Sequence, residues 1–221
     1  MTNDHIVDIE DPNSRIREKG MCVHLQFDYK KSTQALNFLA RKNSGQINKM
    51  KAIKLVYFAD RYHLRKYGRP ITNDEYYAMV LGPVNSGVKD LAEMTCFLGP
   101  KEEKYAKAYL ESVDQYTIQS VQDCDTEVFS ESDQEALSFA WGRFGHYNQF
   151  ELADITHRYP EWKKHETALN REDTSRVRMK YEDFFEDPPI EVEQCHSLNN
   201  QDRTDRMEEL QELAKIESLW N

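Results

Sequence analysis

Residues 46–67 constrain this chain more than any other stretch. Ile47, Met50, Ile53, Leu55, Val56, Tyr57, Phe58, Ala59, Tyr62 and Leu64 fall so densely there that a helix wound through them keeps little polar circumference. A helix that is apolar nearly all round is stable only where other elements cover it, so this one is predicted to be the central helix. At about 100° per residue, Lys51, Lys54, Arg61 and Arg65 share an arc of roughly 80°, with Asp60 outside it. That basic stripe reads either as a solvated edge whose long side chains reach water or as a binding surface. Gly68 permits a left-handed cap and Pro70 cannot continue the backbone ladder, so the helix ends there.

The remaining sequence supplies the cover. With 221 residues, including 10 Phe, 12 Tyr and 3 Trp, the chain is long enough for one core with a tail. Val23, Leu25 and Phe27 alternate with His24, Gln26 and Asp28, the period of a short half-buried strand. Ser32 or Thr33 is expected to cap a short helix through Leu36, Phe38, Leu39 and Ala40 that exits at Asn43, Ser44 and Gly45. Residues 76–81 are apolar on both alternations, as in a strand covered on both faces, and Gly82 and Pro83 are expected to stop it. Asn85 or Ser86 then caps a helix through Val88, Leu91 and Met94. Residues 105–112 read as helix, and the strand formers of 116–121 are expected to pair with the first strand. Ser130 or Ser132 with Glu135 resembles a capping box, opening a helix through Ala136, Leu137, Phe139, Ala140, Trp141 and Phe144 that Gly145 ends. Residues 149–156 form a shorter helix, interrupted at His157, Arg158, Tyr159 and Pro160, and Pro188 with Pro189 closes the compact body.

The two ends differ from the middle. Residues 1–24 carry many charges and few large apolar groups, which predicts a flexible leader. Residues 189–221 read as a polar linker followed by a terminal amphipathic helix, with Met207, Leu210, Leu213, Ala214 and Trp220 beside Glu208, Glu209 and Glu212. Docking on its own domain, a dimer contact giving a homo-oligomer, and partner docking all fit that pattern.

Several function classes lose support. Asp and Glu number 39 against 29 Lys and Arg, a formal charge of -10 that repels nucleic-acid phosphates and attracts a basic partner. No apolar run approaches the roughly 20 residues of a membrane span, and the start lacks the pattern of a secretory signal, so a cytoplasmic address is expected and no membrane partner. Cys22, Cys96, Cys124 and Cys195 are scattered, as reduced thiols are. Phosphate-cradling glycine loops, a nucleophile elbow and an H-E-x-x-H zinc motif are all missing. His63, His146 and His157 read as capping or packing groups, and no cofactor, metal or enzymatic activity is expected.

From Lys54-Leu55-Val56-Tyr57-Phe58-Ala59-Asp60-Arg61-Tyr62-His63 through Tyr67-Gly68-Arg69-Pro70-Ile71, the chain resembles the signature of the Panacea domain, also called the SocA-like antitoxin domain. Tyr77-Ala78-Met79, Gly82-Pro83-Val84 and Ser86 follow in the family's order, then Leu152, Thr156-His157, Pro160 and Trp162, and last Tyr181-Glu182-Asp183-Phe184-Phe185-Glu186-Asp187. The resemblance covers about residues 25–188, with Asn85 standing where many relatives have Pro.

It implies an α+β, predominantly α-helical fold with a small antiparallel sheet, and the antitoxin of a bacterial or phage toxin-antitoxin module. The implied partner is a cognate toxin, one that inhibits translation such as a small alarmone synthetase toxin. A second implied role is a proteolytic adaptor delivering a client to a Clp-type protease. Because interface anchors are usually aromatic and Arg, Arg61, Arg65, Tyr67, Arg69, Tyr76 and Tyr77 are the expected partner-binding residues. On that reading, alanine at Arg65 and Arg69 weakens binding without moving the unfolding midpoint. No helix-turn-helix with a basic recognition face stands out, so direct nucleic-acid binding is not expected.

Overall fold

The computed structural model describes residues 23–171 and 174–220. The leader expected up to residue 24 falls, through residue 22, outside the described residues. The fold is α+β and mostly helical, with two small antiparallel sheets. The division of the chain into leader, domain and tail stays a proposal.

The helix α1, Tyr29–Lys42, starts four residues before the expected cap, because the Asp28 carboxylate accepts the N–H groups of Lys30 and Lys31. Ser32 and Thr33 lie inside its first turn, their hydroxyls bonding back to the Asp28 and Tyr29 carbonyls. Before it, Val23 and Leu25 are buried and His24 and Gln26 exposed, so the predicted alternation holds. The segment is nonetheless no strand: its N–H groups go elsewhere, Gln26 to the Glu217 carboxylate at 2.7 Å and Asp28 to the Thr72 carbonyl at 2.9 Å.

The central helix is shorter than its apolar run. Gln46–Asn48 forms strand β1, and α2 runs Lys49–Tyr67, with the Asn48 side chain accepting from Lys51 N and Gly68 in the left-handed cap at φ 70°. Residues 116–121 do contain a strand, β5 (Thr117–Ser120). It pairs with β1 and with β4 (Leu110–Ser112), two segments whose patterns read as helix. Helix α4, Pro100–Tyr109, precedes β4.

The second sheet is a hairpin with one added strand. β2 (Tyr76–Met79) pairs with β3 (Gly82–Asn85) on one side and β6 (Arg176–Arg178) on the other. Gly82 therefore opens a strand where it was expected to stop one, its φ of 94° closing a two-residue turn that only glycine adopts freely. Val80 and Leu81 are not covered on either face: they form the turn and are 63% and 52% exposed. Pro83 is tolerated because β3 is an edge strand.

Helix α3, Ser86–Glu93, follows the hairpin. Helix α5, Glu131–Phe144, begins in a capping box of Ser130 with Asp133, not Glu135. Helix α6 (Gln149–Thr156) sits where the sequence placed it, Pro160, expected only to interrupt, opens a short helix α7 (Pro160–Lys163), and a short α8, Glu166–Asn170, leads on to β6. Tyr181–Phe185 forms a 3-10 turn, and α9 spans Asn200–Trp220. α9 docks on the domain itself, with Leu210 and Ala214 in the core and Glu209 against Gly68.

Candidate functional site

Helix α2 carries ionisable groups into the core, and each finds a built set of partners. Asp60 is fully buried. One carboxylate oxygen accepts the N–H groups of Ile71 at 2.8 Å and Thr72 at 3.1 Å. The other accepts the Thr72 hydroxyl at 2.6 Å, the Tyr76 hydroxyl at 2.8 Å and the Asn85 amide at 3.1 Å. Burial raises its pKa, and the donors from Thr72, Tyr76 and Ile71 oppose that rise. One side chain thus fixes the turn after α2, the start of β2 and the end of β3.

Asn85 precedes α3 but is spent on Asp60. The N-terminus of α3 is capped from a distance by Asp74, which accepts from Gly87 N and Val88 N at 2.8 Å each.

Of the basic stripe, Lys54, Arg61 and Arg65 lie under cover, while Lys51 stays partly exposed and donates to the Gly145 carbonyl at 2.7 Å. Arg61 is fully buried and pairs with the equally buried Glu161 of α7 at 2.7 Å, while Tyr57 donates to the same carboxylate at 2.5 Å. Burial works against the Arg61 charge, yet Glu161, Cys195 and Tyr57 together hold the guanidinium above its ordinary pKa. Arg61 also donates to the carbonyls of Gln194 at 2.7 Å and Glu186 at 2.9 Å. Arg65, one turn on, donates to the carbonyls of His196 at 2.7 Å and Phe184 at 3.0 Å and to the Asp187 carboxylate at 2.5 Å. Both arginines hold the segment from Phe184 to His196 against α2 like a strap. They reach neither water nor a surface, because the strap lies over the arc they share.

Beyond them, His63 meets Ser132 at 2.9 Å and Asp133 at 3.2 Å, and Lys31 and Arg69 close on the same Asp133 carboxylate. Burial opposes the Asp133 charge, but hydrogen bonds from His63 and Lys31 hold it well below the usual carboxylate range.

Of the six expected partner-binding residues, Arg61, Arg65 and Tyr76 are buried and bonded internally, so in this conformation they meet no partner directly. Tyr67 bonds Glu135 at 2.6 Å, Arg69 bonds Ser130 and Asp133, and Tyr77 bonds Glu75 at 3.0 Å; these three keep exposed atoms. The six do not share one surface. Glu161, Asp133 and Asp74, which organise the networks, gave no sequence signal, since an acidic residue in a polar segment looks like any solvated one. Asp60 did give one, as a lone carboxylate in an apolar helix.

Three of the distant sequence pieces converge on the β2–β3 hairpin. Lys54 of α2, only 1% exposed, donates to the Pro83 carbonyl at 2.8 Å. Trp162 donates its indole N–H to the Met79 carbonyl at 2.9 Å, and the His157 ring stacks on Trp162 at 3.9 Å. A Cβ at Gly82 would strike Thr156 Oγ1 and stand 2.7 Å from Lys54 Nζ, so glycine is required there for space as well as for its φ. Gripped from inside, the hairpin presents Val80 and Leu81 outward.

Burial lowers the Lys54 pKa from its ordinary 10.5 to about 7. Between those values the unfolded chain binds one more proton than the folded one, so stability rises with pH across this window, by at most about 1.4 kcal/mol per unit. Below pH 7 both states hold the proton and the contribution is constant. Urea unfolding from pH 6 to 10 should show that rise in the wild type and a flatter profile in Lys54→Met; equal slopes would mean the amine keeps its ordinary pKa.

Among the described residues no cluster of His, Cys, Asp and Glu is placed to hold a metal ion, and no helix is long and apolar enough to cross a membrane. In comparison with known proteins, a family model described as antitoxin SocA-like, Panacea domain, matches residues 53–163, from within α2 to the end of α7. No curated protein and no solved structure matches the chain.

Proposed function

Because the chain belongs to the antitoxin SocA-like, Panacea domain family, we propose that it neutralises a cognate toxin, one that inhibits translation, by holding it in a tight protein complex. The antitoxin acts as a cover: it blocks the toxin's working surface sterically and electrostatically and turns nothing over. The family match carries this reading. The arrangement on α2 supports it, since Asp60, Arg61, His63 and Arg65 are committed to holding the fold together.

Charge supports it too. The chain's formal charge of -10 suits a basic partner. Part of that charge lines an open groove of about 570 Å³ where Glu75, Asp90 and Glu102 stand beside Phe27 and the 82% exposed Phe97. Tyr77 donates to Glu75, one of the residues lining that groove, at 3.0 Å. Tyr67, Arg69 and Tyr77 remain proposed contact residues, while Arg61, Arg65 and Tyr76 act one layer below by fixing the elements that bear the surface.

The test is capture of partners by the tagged full chain in its native cells, followed by expression of the main partner alone and together with the chain. A stoichiometric partner that arrests growth alone and not in company is the expected result. Capture without toxicity would overturn the reading, and protection that disappears when a Clp-type protease is deleted would replace masking by adaptor-driven degradation. In the same assay Arg69→Ala should weaken capture with little change in the unfolding midpoint. Arg65→Ala, by contrast, should cost about 3 kcal/mol of stability, because it leaves buried carbonyls unpaired.

A further inference from the structure

Outside the networks on α2, one groove combines an apolar lining with an unusual cation. It holds about 420 Å³ and is bounded by Met50 and Ile53 of α2, Met79, Val80 and Leu81 of the hairpin, and Val84 of β3. That volume lies within the range of small-ligand sites, which are mostly apolar with a few placed polar groups.

Its charged lining is Lys54, Lys89 and Glu93. Lys89 and Glu93 pair with each other at 2.5 Å, which leaves Lys54 as the cation of this groove without a carboxylate partner. An ammonium has three N–H donors, and the bond to the Pro83 carbonyl uses one of them. A buried charge answered by a single neutral acceptor is costly, and an anion beside it relieves that cost. In a chain of formal charge -10, this local excess of positive charge is the reverse of the whole.

We propose that the groove binds a free aliphatic carboxylate, its chain lying among Met50, Ile53, Met79 and Val84 and its carboxylate accepting from the Lys54 ammonium. The apolar wall explains the chain, and the lysine explains the head group. An uncharged alcohol of the same length would fill the groove but leave the lysine as it is. This site is independent of the toxin-binding reading, and its test needs no toxin.

The probe is octanoate, with 1-octanol as the uncharged control, titrated into the full-length protein by calorimetry at pH 6.5. Octanoate should bind about tenfold or more tightly than octanol, the size of one charge-assisted hydrogen bond. Lys54→Met should erase that difference while circular dichroism shows the fold retained. Should that variant fail to fold, Val84→Phe, which narrows the groove without touching Lys54, should weaken both ligands. Spectra of 13C-methyl-labelled methionine locate the site, since octanoate should shift Met50 and Met79. Equal binding of octanol and octanoate overturns the proposal, as does octanoate binding that leaves both methionines unmoved. No octanoate binding, or binding only of acetyl-Val-Leu with its free carboxylate, overturns it as well and in the second case assigns the groove to a peptide end.

Discussion

Asp60→Ala should be the most damaging single substitution in the chain, lowering the unfolding free energy by more than about 4 kcal/mol or leaving no folded protein at 25 °C. The carboxylate satisfies five donors from Ile71, Thr72, Tyr76 and Asn85, and alanine strands all five in a dry interior. Each stranded donor costs about 1–3 kcal/mol, and the losses are coupled because the donors share one acceptor. Asp60→Asn should be milder, since one oxygen remains, but its amide turns a donor toward other donors. Urea unfolding followed by tryptophan fluorescence measures both. An alanine variant within about 1 kcal/mol of wild type would mean that the donors find other acceptors and that Asp60 is not the hub.

The second large effect concerns the ion pair of Arg61 and Glu161, both fully buried. Arg61→Met should cost about 3–5 kcal/mol, because it leaves the Glu161 carboxylate in the core without its counter-charge. The double variant Arg61→Met with Glu161→Met should recover much of that loss, since two apolar groups of similar size remove the unpaired charge together. Recovery stays incomplete because the Gln194 and Glu186 carbonyls lose their donor in both variants. A double-mutant cycle reads the coupling directly. If the double variant is as unstable as the sum of the singles, the two residues act independently and the pair is incidental.

How much of this was legible in the sequence follows from how local each signal is. The bounds of α6, the left-handed cap at Gly68 and the end of α5 before Gly145 were readable, because caps and helical period are set by neighbours a few residues apart. The strand at Gln46–Asn48 was not: its partner, Thr117–Ser120, lies some seventy residues away, and the local pattern runs on smoothly into α2. The cap of α1 was misplaced because Ser32 and Thr33 are good caps in general, and Asp28 reaches the first N–H groups before them.

The candidate site shows the same limit more sharply. Periodicity placed Lys54, Arg61 and Arg65 on one side of α2, and the structure keeps them there. It could not say what lies over that side, because the cover comes from α7, the hairpin and residues 184–196. A shared helix face is a property of the segment, whereas exposure is a property of the whole fold. The apolar run at residues 76–81 misled for a related reason: it suggests a doubly covered strand, yet its last two members form a turn that water reaches.

The strap from Phe184 to His196 is held in a particular way. Arg61 and Arg65 bond the carbonyls of Phe184, Glu186, Gln194 and His196, groups that every amino acid presents alike. The route of the strap is therefore written in its main chain and in two residues of a helix more than a hundred positions earlier. Phe184, Phe185, Pro188, Val192 and Cys195 along it are buried and Asp187, Glu191 and Glu193 are bonded through their side chains, but exposed positions such as Glu186 and Ile190 are free to change while the path stays fixed. The strap can thus acquire new outward-facing chemistry without renegotiating the fold that carries it.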